Sequence, residues 1–182
     1  MTRAVRDAAL LLNVIAGLDE RDLLSLPANP TDYLAGCEGG IRGLRVAWSP
    51  TLGCAKVDPE VIRITEAAAR SFFEGTLGCQ VEAADPGFES PQSSFAALWT
   101  MSYALQLQAV LSEWESPMDP DPVKLIRCTS RIGPADYGEA LAKRLALWDT
   151  TRKFFDQFEL LLAPTLPVPL FAVGAWRSRG YS

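Results

Sequence analysis

The segment Leu44-Arg45-Val46-Ala47-Trp48-Ser49 decides the fold, because a short apolar run between polar loops is typical of a buried strand. Asp58 and Pro59 then predict the start of a helix, with the aspartate as its cap and the proline at its first position. That helix is predicted to end at Gly75, and residues 79–83 form a second predicted strand. A strand, a helix and a strand in about forty residues predict a parallel crossover unit.

Further elements are predicted on both sides of this unit. Helices are expected over residues 91–115, 123–131 and 134–158, where prolines and glycines punctuate the chain. The run Leu160-Leu161-Leu162-Ala163 has no polar residue and predicts a third strand buried on both faces. Before the first strand, a helix is predicted over residues 4–16. A connector rich in proline and glycine follows it, with one short helical turn near position 33.

Apolar residues that recur every three or four positions predict which face of each long helix is buried. The predicted faces are Val61, Ile64, Ala67, Ala68 and Phe72; Phe95, Leu98, Trp99, Ser102, Tyr103, Gln106 and Ala109; and Tyr137, Leu141, Leu145, Trp148, Thr151, Phe155 and Phe158.

Composition indicates a globular protein that binds neither nucleic acid nor membranes. Of the 182 residues, 48% are hydrophobic and 21% are charged, which suffices for one core. The net charge of −5 disfavours binding to a phosphate backbone. No apolar run approaches the roughly 20 residues that span a bilayer, and the amino terminus lacks a secretory pattern. We therefore expect a cytoplasmic protein.

The cysteines do not predict a metal site. Cys37, Cys54, Cys79 and Cys128 form no Cys-x-x-Cys pair, and the sequence has no histidine to complete a zinc site. The thiols are expected to be reduced and mostly buried.

Stretches near the two ends of the chain carry a family resemblance. The first is Met1-Thr2-Arg3-Ala4-Val5-Arg6-Asp7, and the second is Leu160-Leu161-Leu162-Ala163-Pro164-Thr165. With Gly43-Leu44-Arg45-Val46, Asp58-Pro59 and Asp136-Tyr137 between them, they resemble in order the C-terminal half of the amidase signature family of serine amidohydrolases.

The resemblance implies an α/β fold. Residues 1–182 would form a single partial domain of the amidase-signature type, in which a mixed sheet of about three strands is flanked by helices. The tail over residues 174–182 shows no periodicity and is expected to be loose.

The resemblance also implies a chemistry. The family hydrolyses carboxamide C–N bonds to a carboxylate plus ammonia or an amine, without a cofactor, through two serines and a lysine. In the family these residues precede the Thr-Arg stretch, so no catalytic residue is assigned here and the chain is expected to be inactive alone. The pair Ser93-Ser94 lacks flanking glycines and is predicted to form the first turn of a helix. The chain is then either an excised piece of a larger protein or a reading frame left by gene decay.

Five residues are candidates for contact with a small amide substrate in the intact parent. By position, Pro164, Thr165 and Leu166 match the wall of the family's substrate channel, although the prolines could simply end the strand. Trp99 and Tyr103 lie on a helix that flanks the acyl pocket in the family, although their apolar stripe favours core packing.

A second hypothesis makes the chain a non-catalytic assembly module. Open apolar edges invite pairing, either with another copy of the chain or with a separate N-terminal half.

Overall fold

The computed structural model describes residues 2–25, 27 and 31–171, with the side chain of Ser130 excepted. Backbone contacts divide the chain into two compact units, Met1–Arg42 and Gly43–Ser182. The expectation of one partial domain stays a prediction, and the tail at 174–182 lies outside the described residues.

The first unit contains two helices, α1 at Val5–Ile15 and α2 at Tyr33–Gly36, close to their predicted positions. The Asp32 carboxylate caps α2 by accepting the backbone N–H groups of Leu34 and Ala35, at 3.0 and 3.1 Å. Asn13 links the helices, because its side chain donates to Asp32 at 2.9 Å and accepts the Tyr33 N–H at 2.8 Å.

The second unit is built on three strands, β1 at Arg45–Trp48, β2 at Gln80–Ala83 and β3 at Leu160–Leu162. Their order is β2-β1-β3, and both pairings are parallel, with Val46 opposite Val81 on one side and Leu160 on the other. The α/β fold and the parallel crossover are therefore confirmed. The two described pairings include no antiparallel one, so the expected mixed sheet is parallel over these strands.

The core of this unit lies against the central strand. Ala47 is fully buried and packs with Phe154 and Phe158, and Leu161 and Ala84 complete the cluster. The prediction that β3 is buried on both faces is wrong for the described structure. Its three leucines are only half-buried, because β3 forms one edge of the sheet and β1 takes the centre.

The described part of the second unit also contains the helices α3 at Pro59–Ala69, α4 at Gln92–Trp114, α5 at Pro120–Cys128 and α6 at Pro134–Phe154. A π-helical segment, Arg70–Thr76, extends α3, and a 3₁₀ turn, Thr129–Arg131, extends α5. Helix α5 begins three residues earlier than predicted, because Asp119 caps it by accepting the Asp121 N–H. Helix α6 ends earlier than predicted, at Phe154, and a turn leads from it to β3.

The predicted buried faces of α3, α4 and α6 are largely wrong. In α4 the buried residues are Ser94, Thr100 and Ala104, while Phe95 and Trp99 are exposed. Helix α4 packs on α5 and α6, and its buried residues are small, while much of the predicted apolar stripe faces outward.

In α3 and α6, too, most of the predicted buried face is exposed. In α3 the buried residue is Ala69, and Ile64 and Phe72 are exposed. In α6 the packing of Phe154 on the sheet sets the rotation of the helix. Of the predicted stripe, Phe158 is buried just after the helix and Thr151 is half-buried, whereas the other members are exposed, namely Tyr137, Leu141, Leu145, Trp148 and Phe155.

The thiols also differ from expectation. None of the four cysteines is in a disulfide, but only Cys79 is buried, while Cys37, Cys54 and Cys128 are exposed. Cys79 directly precedes β2, whereas the exposed cysteines lie in loops or at helix ends.

Candidate functional site

The carboxyl ends of the three parallel strands meet at one edge of the sheet. The residues that follow the strands are Ser49, Ala84 and Ala163. Loops at this edge are the usual ligand-binding position of a parallel α/β sheet. Two further backbone hydrogen bonds bind the strand ends together, from Ser49 N–H to the Leu162 carbonyl at 3.0 Å and from Ala84 N–H to the Trp48 carbonyl at 3.2 Å.

A side-chain hydrogen bond joins two of these strand ends. The Ser49 hydroxyl donates to Oδ1 of Asp85 at 2.5 Å, and Ser49 is fully buried whereas Asp85 is exposed. Gly53 packs beside the pair, since a Cβ atom there would lie 3.4 Å from the Asp85 Cβ, and its φ of +76° favours glycine. Sequence analysis did not select Ser49 or Asp85, although their positions after predicted strands were a usable signal.

The predicted wall residues lie at the same edge. Pro164 is half-buried, and Thr165 and Leu166 are exposed in the loop after β3. This loop is anchored to the start of α3, because the Asp58 N–H donates to the Pro167 carbonyl at 2.9 Å. Three of the candidate residues thus follow β3 at the sheet edge where the Ser49–Asp85 pair also lies.

The other two candidates lie on a different part of the unit. Trp99 and Tyr103 belong to α4, which packs on α5 and α6. Their rings stack one turn apart at 5.3 Å, and the Phe95 ring continues the row at 5.2 Å from Trp99.

The predicted serine pair lies in a helix turn, and three of the four described lysines pair with carboxylates. Ser93 and Ser94 lie in the first turn of α4, as predicted, and Ser94 is buried. Three lysines are held in surface ion pairs, Lys124 with Asp121, Lys143 with Glu139 and Lys153 with Asp149. The hydrogen bond from Lys143 to Glu139, followed by their charge attraction, raises the Lys143 pKa, which disfavours a role as a base.

The described residues contain neither a candidate metal site nor a helix that could span a membrane. No group of three or more histidine, cysteine, aspartate or glutamate residues in the described ranges could hold a metal ion. No helix within those ranges is long and apolar enough to cross a membrane.

The fold defines a parallel α/β protein with its loops gathered at the carboxyl edge of the sheet. A family model described as Amidase matches residues 1–182. The chain therefore belongs to the amidase family.

Known proteins resemble the chain over nearly its whole length. An acylamidase of Rhodococcus erythropolis is 35% identical over 94% of this chain, and an amidase of Pseudomonas putida is 29% identical over 93%. The crystal structure of a bacterial aryl acylamidase of the amidase signature family matches 95% of this chain with a TM-score of 0.79 and 28% identity. The chain spans only 36%, 36% and 38% of the lengths of these three proteins.

Proposed function

We propose that the chain is the C-terminal segment of an amidase that hydrolyses a carboxamide C–N bond to a carboxylate plus ammonia or an amine. The observation that carries the proposal is that the family model matches residues 1–182. The chain nevertheless spans less than two-fifths of the length of the acylamidase and the amidase that it resembles. The segment would supply part of the parallel sheet and the loops at its carboxyl edge. The reacting serines and lysine would come from the remainder of the amidase.

We propose further that the segment is inactive alone. A serine nucleophile needs an adjacent base, and three of the four described lysines, Lys124, Lys143 and Lys153, are engaged with carboxylates at the surface. The Ser49 hydroxyl is buried against Asp85, so a substrate carbonyl has no access to it. In the complete enzyme, Pro164, Thr165 and Leu166 would form one wall of the channel for a small amide. A cytoplasmic location is part of the proposal.

A chimera tests this proposal. The region of the Rhodococcus erythropolis acylamidase that matches this chain is replaced by the 182 residues, and hydrolysis of a chromogenic anilide is measured beside the isolated chain. We expect turnover by the chimera and none by the isolated chain. Ser93→Ala in the chimera should retain activity, because Ser93 is an exposed residue of the first turn of α4. A folded chimera without turnover, or an isolated chain whose activity is lost with Ser93→Ala, contradicts the proposal.

A non-catalytic assembly module is the second candidate. It is supported by the many large apolar side chains that are exposed on α1, α3, α4 and α6, which suit association better than contact with water. Such a module would associate with itself or with a separate N-terminal half.

A further inference from the structure

Helix α4 has two faces of different character. Ala104 is buried and lies nine residues after Phe95, about two and a half helical turns, so the two side chains point to opposite sides. The inward side carries the small residues Ser94, Thr100 and Ala104, against which α5 and α6 are arranged. Phe95, Trp99 and Val110 are exposed on the outward side, and Leu105, on the flank of the helix, is exposed as well.

We define the α4 outer face as Phe95, Trp99, Ser102, Gln106 and Val110, which are spaced at three and four residues. Phe95 is 59% and Trp99 47% exposed, although their rings lie in contact. The face continues past Val110 into an open groove of about 420 Å³, lined by Val110, Trp114, Pro117 and Met118.

The charge of α4 is unusual for a helix with an exposed face. Of its 23 residues only Glu113 is charged, whereas the outer face of a surface helix normally carries several charges. The helix is not apolar enough to cross a membrane. A helix that is uncharged on both sides is typical of a position between two protein layers, and the described structure provides the layer on one side only.

The comparisons indicate what the second layer is. The match to the bacterial aryl acylamidase covers 95% of this chain, which places nearly all of it within a fold more than twice as long. We infer that the α4 outer face is the docking surface for the part of an amidase domain that lies outside the matched region. The inference rests on the proposed function and adds the surface through which the two parts would join. A second copy of this chain would contribute the same two-fifths of the fold and would leave it incomplete.

Two isosteric substitutions on α4 provide a matched test. Gln106 lies on the outer face, and Gln108, two residues along, is exposed on the other side of the helix. Gln106→Glu would place an unpaired carboxylate in the interface, whereas Gln108→Glu adds the same charge outside it. The chain is co-expressed with the tagged remainder of the Rhodococcus erythropolis acylamidase, and the amount of chain that co-purifies is measured. Circular dichroism of each variant controls for folding.

We expect the wild-type chain and Gln108→Glu to co-purify within about twofold of each other, and Gln106→Glu to be reduced roughly tenfold. Trp99→Asp should remove association entirely, because an aromatic anchor is lost as well. Equal recovery of Gln106→Glu and Gln108→Glu, or no recovery of the wild-type chain, overturns the inference.

Two further outcomes separate this inference from the proposed function. A self-associated wild-type chain that Gln106→Glu converts to a monomer would assign the face to a second copy and overturn the inference. Association that depends on Gln106, together with a folded but inactive chimera, supports the docking surface and contradicts the proposed function instead.

Discussion

The hydroxyl of Ser49 is the most completely buried polar group among the described side chains. Because it donates to the exposed Asp85 carboxylate, the ends of β1 and β2 are joined through side chains as well as through the backbone. Leaving the buried Ser49 hydroxyl without a hydrogen-bond partner would be costly, whereas the exposed Asp85 carboxylate can accept a hydrogen bond from water instead.

Ser49→Ala removes this hydrogen bond and leaves Asp85 to water, so the expected destabilisation is about 1–2 kcal/mol, the value of a hydrogen bond to a charged group reduced for the exposure of Asp85. The free energy of unfolding in urea measures this loss. Ser93→Ala, which alters an exposed serine, is the control and should change stability by less than about 0.5 kcal/mol. Equal effects of the two substitutions would show that the Ser49–Asp85 bond contributes nothing measurable.

Asp32 gives a pH prediction. The hydrogen bond from Asn13, and then those from the Ala35 and Leu34 N–H groups, lower the pKa of its carboxyl group. The stability that Asp32 contributes is present above its unfolded-state pKa, roughly 3.9, and is lost as the pH falls through the lower folded-state value.

Asn13→Ala removes the largest cause, so the Asp32 pKa should rise toward its ordinary value. Carboxyl ¹³C shifts followed by NMR from neutral to acid pH measure this change. Asp19 is the internal control, because Arg21 lowers its pKa. An unchanged Asp32 titration would assign the shift to the helix cap alone.

The start of helix α5 is determined by a local sequence signal. Asp119 and Pro120 repeat the cap-and-proline pattern of Asp58 and Pro59, and in each pair the aspartate caps the helix. Asp119→Ala should destabilise the protein by about 1 kcal/mol, and Asp119→Asn, which keeps a capping side chain, should be near wild type. Thermal unfolding followed by circular dichroism compares the two variants. If both lose the same stability, the charge of Asp119 matters and its hydrogen bond does not.

The sequence predicted the existence and order of these elements well, and their orientation poorly. The strands, the caps and the long helices follow from signals within a few residues. The rotation of α3, α4 and α6 does not, because periodicity identifies an apolar stripe without identifying the partner that covers it. In α4 the stripe through Phe95 and Trp99 is real, but the described structure buries the opposite side.

The candidate site was predicted to a similar degree. The loop after β3, with Pro164, Thr165 and Leu166, does lie at the carboxyl edge of the sheet. Asp85 and Ser49 were missed as a pair because they are 36 positions apart, and the local signal, a position after a predicted strand, does not show that the two side chains would meet. The roles of Trp99 and Tyr103 in substrate contact stay predictions.

At the scale of the whole molecule, both units expose apolar side chains. In the first unit, Ala9 is the buried residue among those described, and Leu23 is 98% exposed. In the second, Leu145 and Trp148 are 68% and 66% exposed. Apolar patches of this kind mark surfaces for other proteins or sites of aggregation.

We therefore expect the isolated chain to self-associate or to be only marginally stable. Light scattering at several concentrations and binding of a fluorescent apolar dye measure these properties. Co-expression with the remainder of the acylamidase should lower dye binding, because it covers the exposed faces. A monodisperse monomer with little dye binding would contradict the expectation.

The order of the strands also determines when β1 can acquire both of its neighbours during synthesis on the ribosome. The Arg45 backbone N–H donates to the Glu159 side chain across 114 positions, and β1 is central only once β3 has joined it. At 5–20 residues per second, a ribosome needs about 6–23 s to add those residues. Throughout that interval the nascent β1 has one strand edge without its final neighbour. The time during which this edge of β1 stays unpaired is thus determined by the separation in sequence of two paired strands.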